Sequence, residues 1–489
     1  MGIRCVHQVA LVVCIVLGAI SCSRIPISRT KGTVNPLQFG LNEARTGAER
    51  YYVLQKTHNE AVRLGMGVSY AGIKEIELDI PSNAQSLPLT YYTDFAGVVL
   101  KVKNTQKDLY LYSLFNDLVS VSVTGNEVDR RDFSSNLTLK VGQKLLLIVD
   151  KTPWVENRIG YDYGATRKDI MLLKDGISMN GPVQSYSTSA SNPACSFREA
   201  GVSKTIIKNI VFQRTAGSTK KTCLIKADNQ YDLELSGISV TTPNDSKLYG
   251  DRIIYLINCY KVQLNDVKIN GTYSLPKQFG YGVCLDNVYD FRANKMYARA
   301  NWGVFGTNNV HNAHLTDCNI NRFDIHCYGK DVRFDNCNFV DLYNQFASVY
   351  GVIEFHKCTF TSFRPIHVGS SYNAFTGYDI VFENCTFNLD KKHQNIMDFE
   401  GCHNTENSRP ELKKKCLPNI TMVNCQVNML DDTKSWYVYN TTKLEKYEGS
   451  FYYVSKVTLK GLSYNKNNLN MTVFSNSVKT DKKVQVVCD

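Results

Sequence analysis

The sequence predicts an all-β parallel solenoid, and three observations carry that prediction. First, a pattern of apolar-x-apolar, two turn-forming residues, then apolar-x-apolar recurs nine times over residues 207–427. The residues that close each corner are Ile210, Ile238, Val267, Met296, Cys318, Cys337, Cys358, Cys385 and Cys425. They are spaced by 28, 29, 29, 22, 19, 21, 27 and 40 positions. A strand-based period in the twenties marks a stack of rungs, each burying its apolar side against the next. Second, the corner pairs, such as Ser236-Gly237, Asn265-Asp266, Asp335-Asn336 and Glu383-Asn384, favour Asn, Asp and Gly. These residues tolerate left-handed backbone and bond their own main chain. Third, Cys318, Cys337, Cys358, Cys385 and Cys425 share one apolar slot of the repeat. Of the 16 cysteines these five read as a ladder of small buried hydrophobes, not as a disulfide framework. Cys402 and Cys416, in a loop over 400–417, are the better disulfide candidates.

The elements follow in order. In residues 1–22, Arg4 precedes an apolar run and then Ser21-Cys22-Ser23. This reads as an export signal, too short to span a bilayer. Ala19-Ile20-Ser21-Cys22 also resembles a bacterial lipobox, which leaves secretion and a lipid anchor at Cys22 as two open readings. Residues 23–45 read as a tether, and 46–200 as an N-terminal cap with irregular first rungs. Within the cap, Tyr52, Leu54, His58, Ala61 and Val62 fall at helical spacing over 47–64. A helix there would cover the open apolar end that a solenoid otherwise exposes. Alternation over 73–149 (Ile76-Leu78-Ile80, Leu109-Leu111) reads as further rungs or a small β-rich domain. The regular solenoid spans 201–430, and 431–489 read as a C-terminal cap.

The formal charge is +11 over 489 residues, spread along the chain. With an export signal, that excess points away from nucleic acid and toward acidic glycans or surfaces. No motif has metal-ligand spacing, and no Gly-rich phosphate loop or nucleophile elbow is present. No cofactor is expected, and calcium is not indicated.

Strand parity then selects a site. In Arg322-Phe323-Asp324-Ile325-His326-Cys327 the apolar residues supply the inward set, so Arg322, Asp324 and His326 project outward together. Aligned on the corners, the position of Asp324 matches Trp302, Tyr343 and Arg364; that of Arg322 matches Asp341. Arg299 and Tyr281 lie at the N-terminal edge. Such a face suits carbohydrate: aromatic rings stack on sugars, Arg binds carboxylate or sulfate, and a carboxylate or imidazole moves protons. Asp324 with Asp341 would make the carboxyl pair of a glycoside hydrolase. His326 or Tyr343 with Arg322 or Arg364 would instead supply the base and cation of a lyase. A surface salt bridge between Arg322 and Asp324, with His326 merely solvated, is the plainer alternative.

With these residues located, the chain resembles the right-handed parallel β-helix proteins of the pectate-lyase-like superfamily. More narrowly, Gly306-Thr307-Asn308 followed by Arg322-Phe323-Asp324-Ile325-His326 is similar to a pattern in poorly characterised bacterial and phage β-helix proteins. The resemblance implies polysaccharide lyases, glycoside hydrolases, epimerases or tail-spike depolymerases. The polygalacturonase Asn-Thr-Asp, Asp-Asp and Gly-His-Gly set and the pectate lyase Arg-x-Pro-x-x-Arg are both missing. The expectation is a secreted or envelope-associated protein acting on a polysaccharide. Its catalytic candidates are Asp324, His326, Arg322 and Asp341; its binding candidates are Trp302, Tyr343, Arg364, Arg299 and Tyr281. The alternative is a non-catalytic glycan-binding or adhesion solenoid.

Overall fold

The computed structural model describes residues 32–489 apart from 156–164, 183–185, 188–191, 202, 242–251, 272–280, 301–302, 328, 342, 348, 362–363, 369–375, 400–417, 441–455, 476–484 and 489. The export segment, Trp302 and the Cys402/Cys416 loop therefore lie outside the described residues.

Among the described residues, thirty-one strands form one continuous, parallel, hydrogen-bonded coil. Each rung pairs in register with the next, as in Leu235↔Leu264, Leu264↔Ala293, Ala293↔Leu315, Leu315↔Phe334 and Phe334↔Phe355. The corners are what hold that register. The second residue of every predicted corner pair, from Asn209 through Gly237 and Asp266 to Asn424, has a φ between 51° and 63°. Gly461 adds a further such corner at 60°. Asn229, Asn258, Asn287 and Asn309 form another left-handed column. There the side-chain amides link rungs, Asn258 Nδ2 donating to Asn229 Oδ1 at 3.1 Å and Asn287 Nδ2 to Asn258 Oδ1 at 3.0 Å.

The interior is a set of side-chain stacks running along the coil. Phe334, Phe355 and Phe382 stack nearly parallel, with centroids 4.8 Å and 5.0 Å apart. Phe339, Phe360 and Phe387 form a second stack at 5.0 Å per step. The five cysteines of the repeat are free and buried beside them. Each thiol sits against carbonyls of its own corner and of the preceding rung; Cys337 Sγ lies 3.4 Å from Asp335 O and 3.6 Å from Leu315 O.

The N-terminal helix spans Gly47–Leu64. Thr46 caps it by accepting from Glu49 N while the Glu49 side chain returns to Thr46 N, and Gly65 closes it at φ 64°. Its buried stripe is Tyr51, Leu54, Thr57, His58 and Ala61. Leu54, His58 and Ala61 are buried as expected, whereas Tyr52 is exposed and Tyr51 takes its place.

Both readings of the region after residue 73 are present, one after the other. Glu75–Asp79, Tyr92–Lys103 and Leu109–Phe115 belong to the first rungs. The chain then leaves the coil and builds a separate antiparallel sheet, ordered Ile177–Ser178, Ala165–Lys174, Gln143–Val155, Ala194–Glu199, Val119–Val121. It has its own core around Val128, Phe133, Leu146, Ile148, Met171 and Tyr186. Its other face, through Leu145, Ile170 and Leu172, packs on Tyr260 and its neighbours Tyr231 and Tyr289 of the coil. Thr205–Arg214 resumes the coil directly on Tyr92–Lys103.

Candidate functional site

One outward column of the coil gathers the predicted chemistry. In register it reads Tyr255, Cys284, Gly306, Asp324, Gln345, His367, Asp398 and Asn440. The corner-based alignment had instead placed Trp302, Tyr343 and Arg364 level with Asp324. The correction has a simple cause: the stretch between corner and next strand changes length from rung to rung, so a constant offset drifts by two or more residues. Tyr343 and Arg364 still border the column, two and three positions before Gln345 and His367.

Asp324 is fully buried and Arg322 only 1% exposed, so the two are not the surface pair that strand parity implied. Arg322 Nε donates to Asp324 Oδ1 at 2.5 Å and Arg322 Nη2 to Gln345 Oε1 at 3.0 Å. The guanidinium also lies over the Tyr343 ring, 4.3 Å from its centroid. The other carboxylate oxygen, Asp324 Oδ2, accepts from Tyr281 OH at 2.8 Å. Tyr281 OH is 3.0 Å from His326 Nε2, and the His326 ring meets the Tyr281 ring edge-on at 5.7 Å. Because the phenol proton is committed to Asp324, the Tyr281 oxygen accepts from His326 Nε2–H. That order assigns the lone pair of the imidazole to Nδ1.

Electrostatics agree with this proton order. Burial, reinforced by the Asp324 carboxylate and opposed by Arg322, holds the Tyr281 phenol well above its ordinary 10. It therefore stays protonated at neutral pH. Burial alone would lower the Arg322 guanidinium, but Asp324, Tyr281 and Tyr343 oppose it and its pKa is raised.

His326 reaches the surface through a local irregularity. The strand Phe323–Cys327 pairs with Phe305↔Phe323, Gly306↔Asp324 and Thr307↔Ile325, then skips to Asn308↔Cys327. His326 is the extra residue, and its side chain is 15% exposed. A bulge of this kind re-aims one side chain without ending the ladder. It also turns Cys327 out of the apolar set: its thiol lies 3.5 Å from Asn308 Oδ1.

Two glycines clear the ground for these side chains. A Cβ on Gly306 would sit 2.6 Å from the Tyr281 ring, and one on Gly303 would sit 3.0 Å from Arg322 Cδ. Tyr281 thus lies flat across the Gly306 rung to reach Asp324. Gly306→Ala is expected to destabilise the protein by about 1–3 kcal/mol through overpacking and to detach Tyr281 from Asp324. Thermal unfolding and the loss of site function check this; an unaltered melting temperature with full function would refute it. Beneath the site, Thr307 Oγ1 donates to Asp324 O at 2.6 Å. Asn344 bridges rungs, accepting from Phe323 N and donating to Pro365 O, both at 3.0 Å.

A second cluster follows two rungs on. Arg364 Nη1 is 2.5 Å from Asp398 Oδ2, and His367 Nδ1 is 3.4 Å from the same oxygen. The Tyr343 ring lies between the clusters, 4.8 Å from the His367 ring. Parity did not find His367 or Asp398, although each is an ionisable residue between apolar neighbours, as Asp324 is.

The remaining candidates separate. Asp341 is exposed at a bend with φ 70°, its N–H bonded to Thr361 O. No side-chain contact joins it to Asp324, and Arg322 has Tyr343 and Gln345 as neighbours where Asp341 was expected. The backbone of Arg299 pairs with Asn270 in the strand Tyr297–Ala300. Among the described residues, no group of three or more His, Cys, Asp or Glu could hold a metal ion.

No family model matches the sequence, and no curated protein matches it. Solved structures do. The tailspike protein gp49 from Pseudomonas phage LKA1 aligns with a TM-score of 0.62 at 13% identity, covering 91% of this chain and 83% of the tailspike. The Pseudomonas phage phi297 tailspike gp61 aligns with a TM-score of 0.50 at 11% identity, covering 90% of this chain and 82% of that one. At such identities the likeness is one of fold. The chain is a right-handed parallel β-helix, shared in architecture with these two phage tailspikes.

Proposed function

We propose that this protein is exported and acts on an acidic polysaccharide, cleaving it by β-elimination at His326. The observation that carries the reading is the buried Arg322–Asp324 pair, tied through Tyr281 to an imidazole that reaches the outward surface. Burying two charges is expensive, and apolar side chains would serve the coil at least as well. Perturbed, desolvated groups of this kind gather where protons must be moved.

In the proposed step, His326 Nδ1 takes the proton on the carbon beside a uronate carboxylate. The resulting enolate expels the glycosidic oxygen, which takes a proton from water while His326 later releases its own to solvent, and a carbon–carbon double bond remains. The imidazolium is stabilised through Tyr281 by the Asp324 carboxylate. Arg364, whose side chain is 29% exposed, pairs with substrate carboxylate, and Tyr343 offers a ring for stacking. The net charge of +11 favours an anionic polymer over a neutral one. Two-carboxylate hydrolysis fits less well. Asp324 and Asp398 lie three rungs apart, about 14 Å, beyond the roughly 5–9.5 Å that such a pair needs. A non-catalytic glycan-binding solenoid is the second reading, favoured by the fact that Asp324 and Asp398 are both nearly inaccessible.

The test is a panel of acidic polysaccharides assayed for the ultraviolet absorbance of unsaturated uronate and for reducing ends. Wild type is expected to give both signals, and His326→Ala to lose them by about 10²–10⁴-fold. Reducing ends without unsaturation would make the protein a hydrolase. Binding without either product would make it an adhesion or recognition protein.

A further inference from the structure

The same outward column carries a second feature, upstream of the candidate site. Three register steps separate Tyr255 from Asp324, through Cys284 and Gly306, a distance of about 14 Å. The Tyr255 ring stacks with the Tyr110 ring at 6.3 Å and an interplanar angle of 28°. The Arg252 guanidinium lies over Tyr255, 4.8 Å from its centroid. Arg252 is exposed, and both tyrosines are only half-buried. Among the described residues, no carboxylate pairs with Arg252. Lys226 neighbours Tyr255 in register and is paired with Asp228 at 2.8 Å.

Between this platform and the candidate site, Cys284 is buried and Gly306 has no side chain, so Tyr281 lies flat across the latter. The face thus carries an aromatic and cationic step, then the Tyr281 ring and His326. The packing of the coil does not require the step: a solvent-facing tyrosine pair crowned by an arginine is replaceable by any polar residues. It is, however, what a sugar acid needs, a ring face for the pyranose and a guanidinium for the carboxylate.

We infer that Tyr110, Tyr255 and Arg252 form a separate subsite for an acidic sugar, some three sugar units from the bond held at His326. This rests on the reading that the outward face carries an acidic polysaccharide. The subsite holds the polymer, and the chemistry occurs elsewhere, so binding and cleavage separate by mutation.

The experiment is affinity electrophoresis of the full chain through gels containing polygalacturonate, alginate or hyaluronan, with dextran as the neutral control. Wild type and His326→Ala are expected to be retarded equally by at least one acidic polymer and not by dextran. Arg252→Ala and Tyr255→Ala, checked as folded by circular dichroism, are expected to weaken that retardation at least about tenfold, while Tyr255→Phe keeps it. Retardation unchanged in both Arg252→Ala and Tyr255→Ala would overturn the subsite, as would no retardation by any acidic polymer. Failure of the cleavage reading looks different: retardation sensitive to Arg252 but no product from wild type.

Discussion

Asp324→Asn is expected to destabilise the folded protein by about 3–5 kcal/mol. The substitution removes little volume, so packing alone predicts a small effect. The charge decides it. Arg322 is 1% exposed and its nearest counter-charge is Asp324, at 2.5 Å. With the carboxylate gone, a guanidinium whose ionisation was held by that partner remains buried without its counter-charge. Tyr281 also loses its acceptor, so the order of protons to His326 is lost with it. Chemical denaturation checks this through the unfolding midpoint. A loss below about 1 kcal/mol would mean that water reaches the pair and that the pair is worth no more than a surface salt bridge.

Phe355→Ala is expected to cost a further kind of stability, about 3–5 kcal/mol, from the interior. Phe355 is fully buried. It stacks on Phe334 at 4.8 Å and on Phe382 at 5.0 Å, and meets Phe339 and Phe360 edge-on at 5.7 Å and 5.2 Å. Removing it opens a cavity that the two neighbouring rungs cannot both fill. A solenoid contacts itself only between adjacent rungs, so the damage is expected to stay local. Hydrogen exchange is expected to rise in Gly329–Asp335, Val349–His356 and Thr376–Glu383 before it rises near Thr205–Arg214. Uniform loss of protection along the coil would contradict that picture.

The two effects mark what was legible in the sequence. Corners were, because a left-handed turn needs Asn, Asp, Gly or an occasional Lys. Asn209, Asp266, Lys295 and Asn336 all sit where the pattern placed them, with positive φ. The cysteine ladder was too, since five cysteines in one apolar slot admit only packing. The helix over Gly47–Leu64 followed from the spacing of its apolar residues, though its buried stripe begins at Tyr51.

Site geometry was legible only within a strand. Parity put Asp324 and His326 outward, but it could not see the bulge at His326, or that Asp324 is buried against Arg322 and Tyr281. Across rungs it failed, because connections of unequal length carry no periodic signal. Tyr343 and Arg364 were for that reason set where Gln345 and His367 stand, and Asp341 was placed beside Arg322 when it faces solvent at a bend. The antiparallel sheet between Leu109–Phe115 and Thr205–Arg214 was half visible. Its strands alternate as rungs do, and nothing local says whether an alternating strand pairs in parallel or in antiparallel fashion.

The buried Arg322–Asp324 pair is, on this reading, kept for chemistry on the outward face and not for the coil. The double variant Arg322→Met/Asp324→Leu tests it most directly, because well-packed apolar replacements of a buried pair are often neutral or stabilising. Its unfolding midpoint should lie close to that of wild type, while unsaturated-uronate release from a polymer that wild type cleaves falls to background. Cleavage at the wild-type rate by the folded double variant would contradict the account.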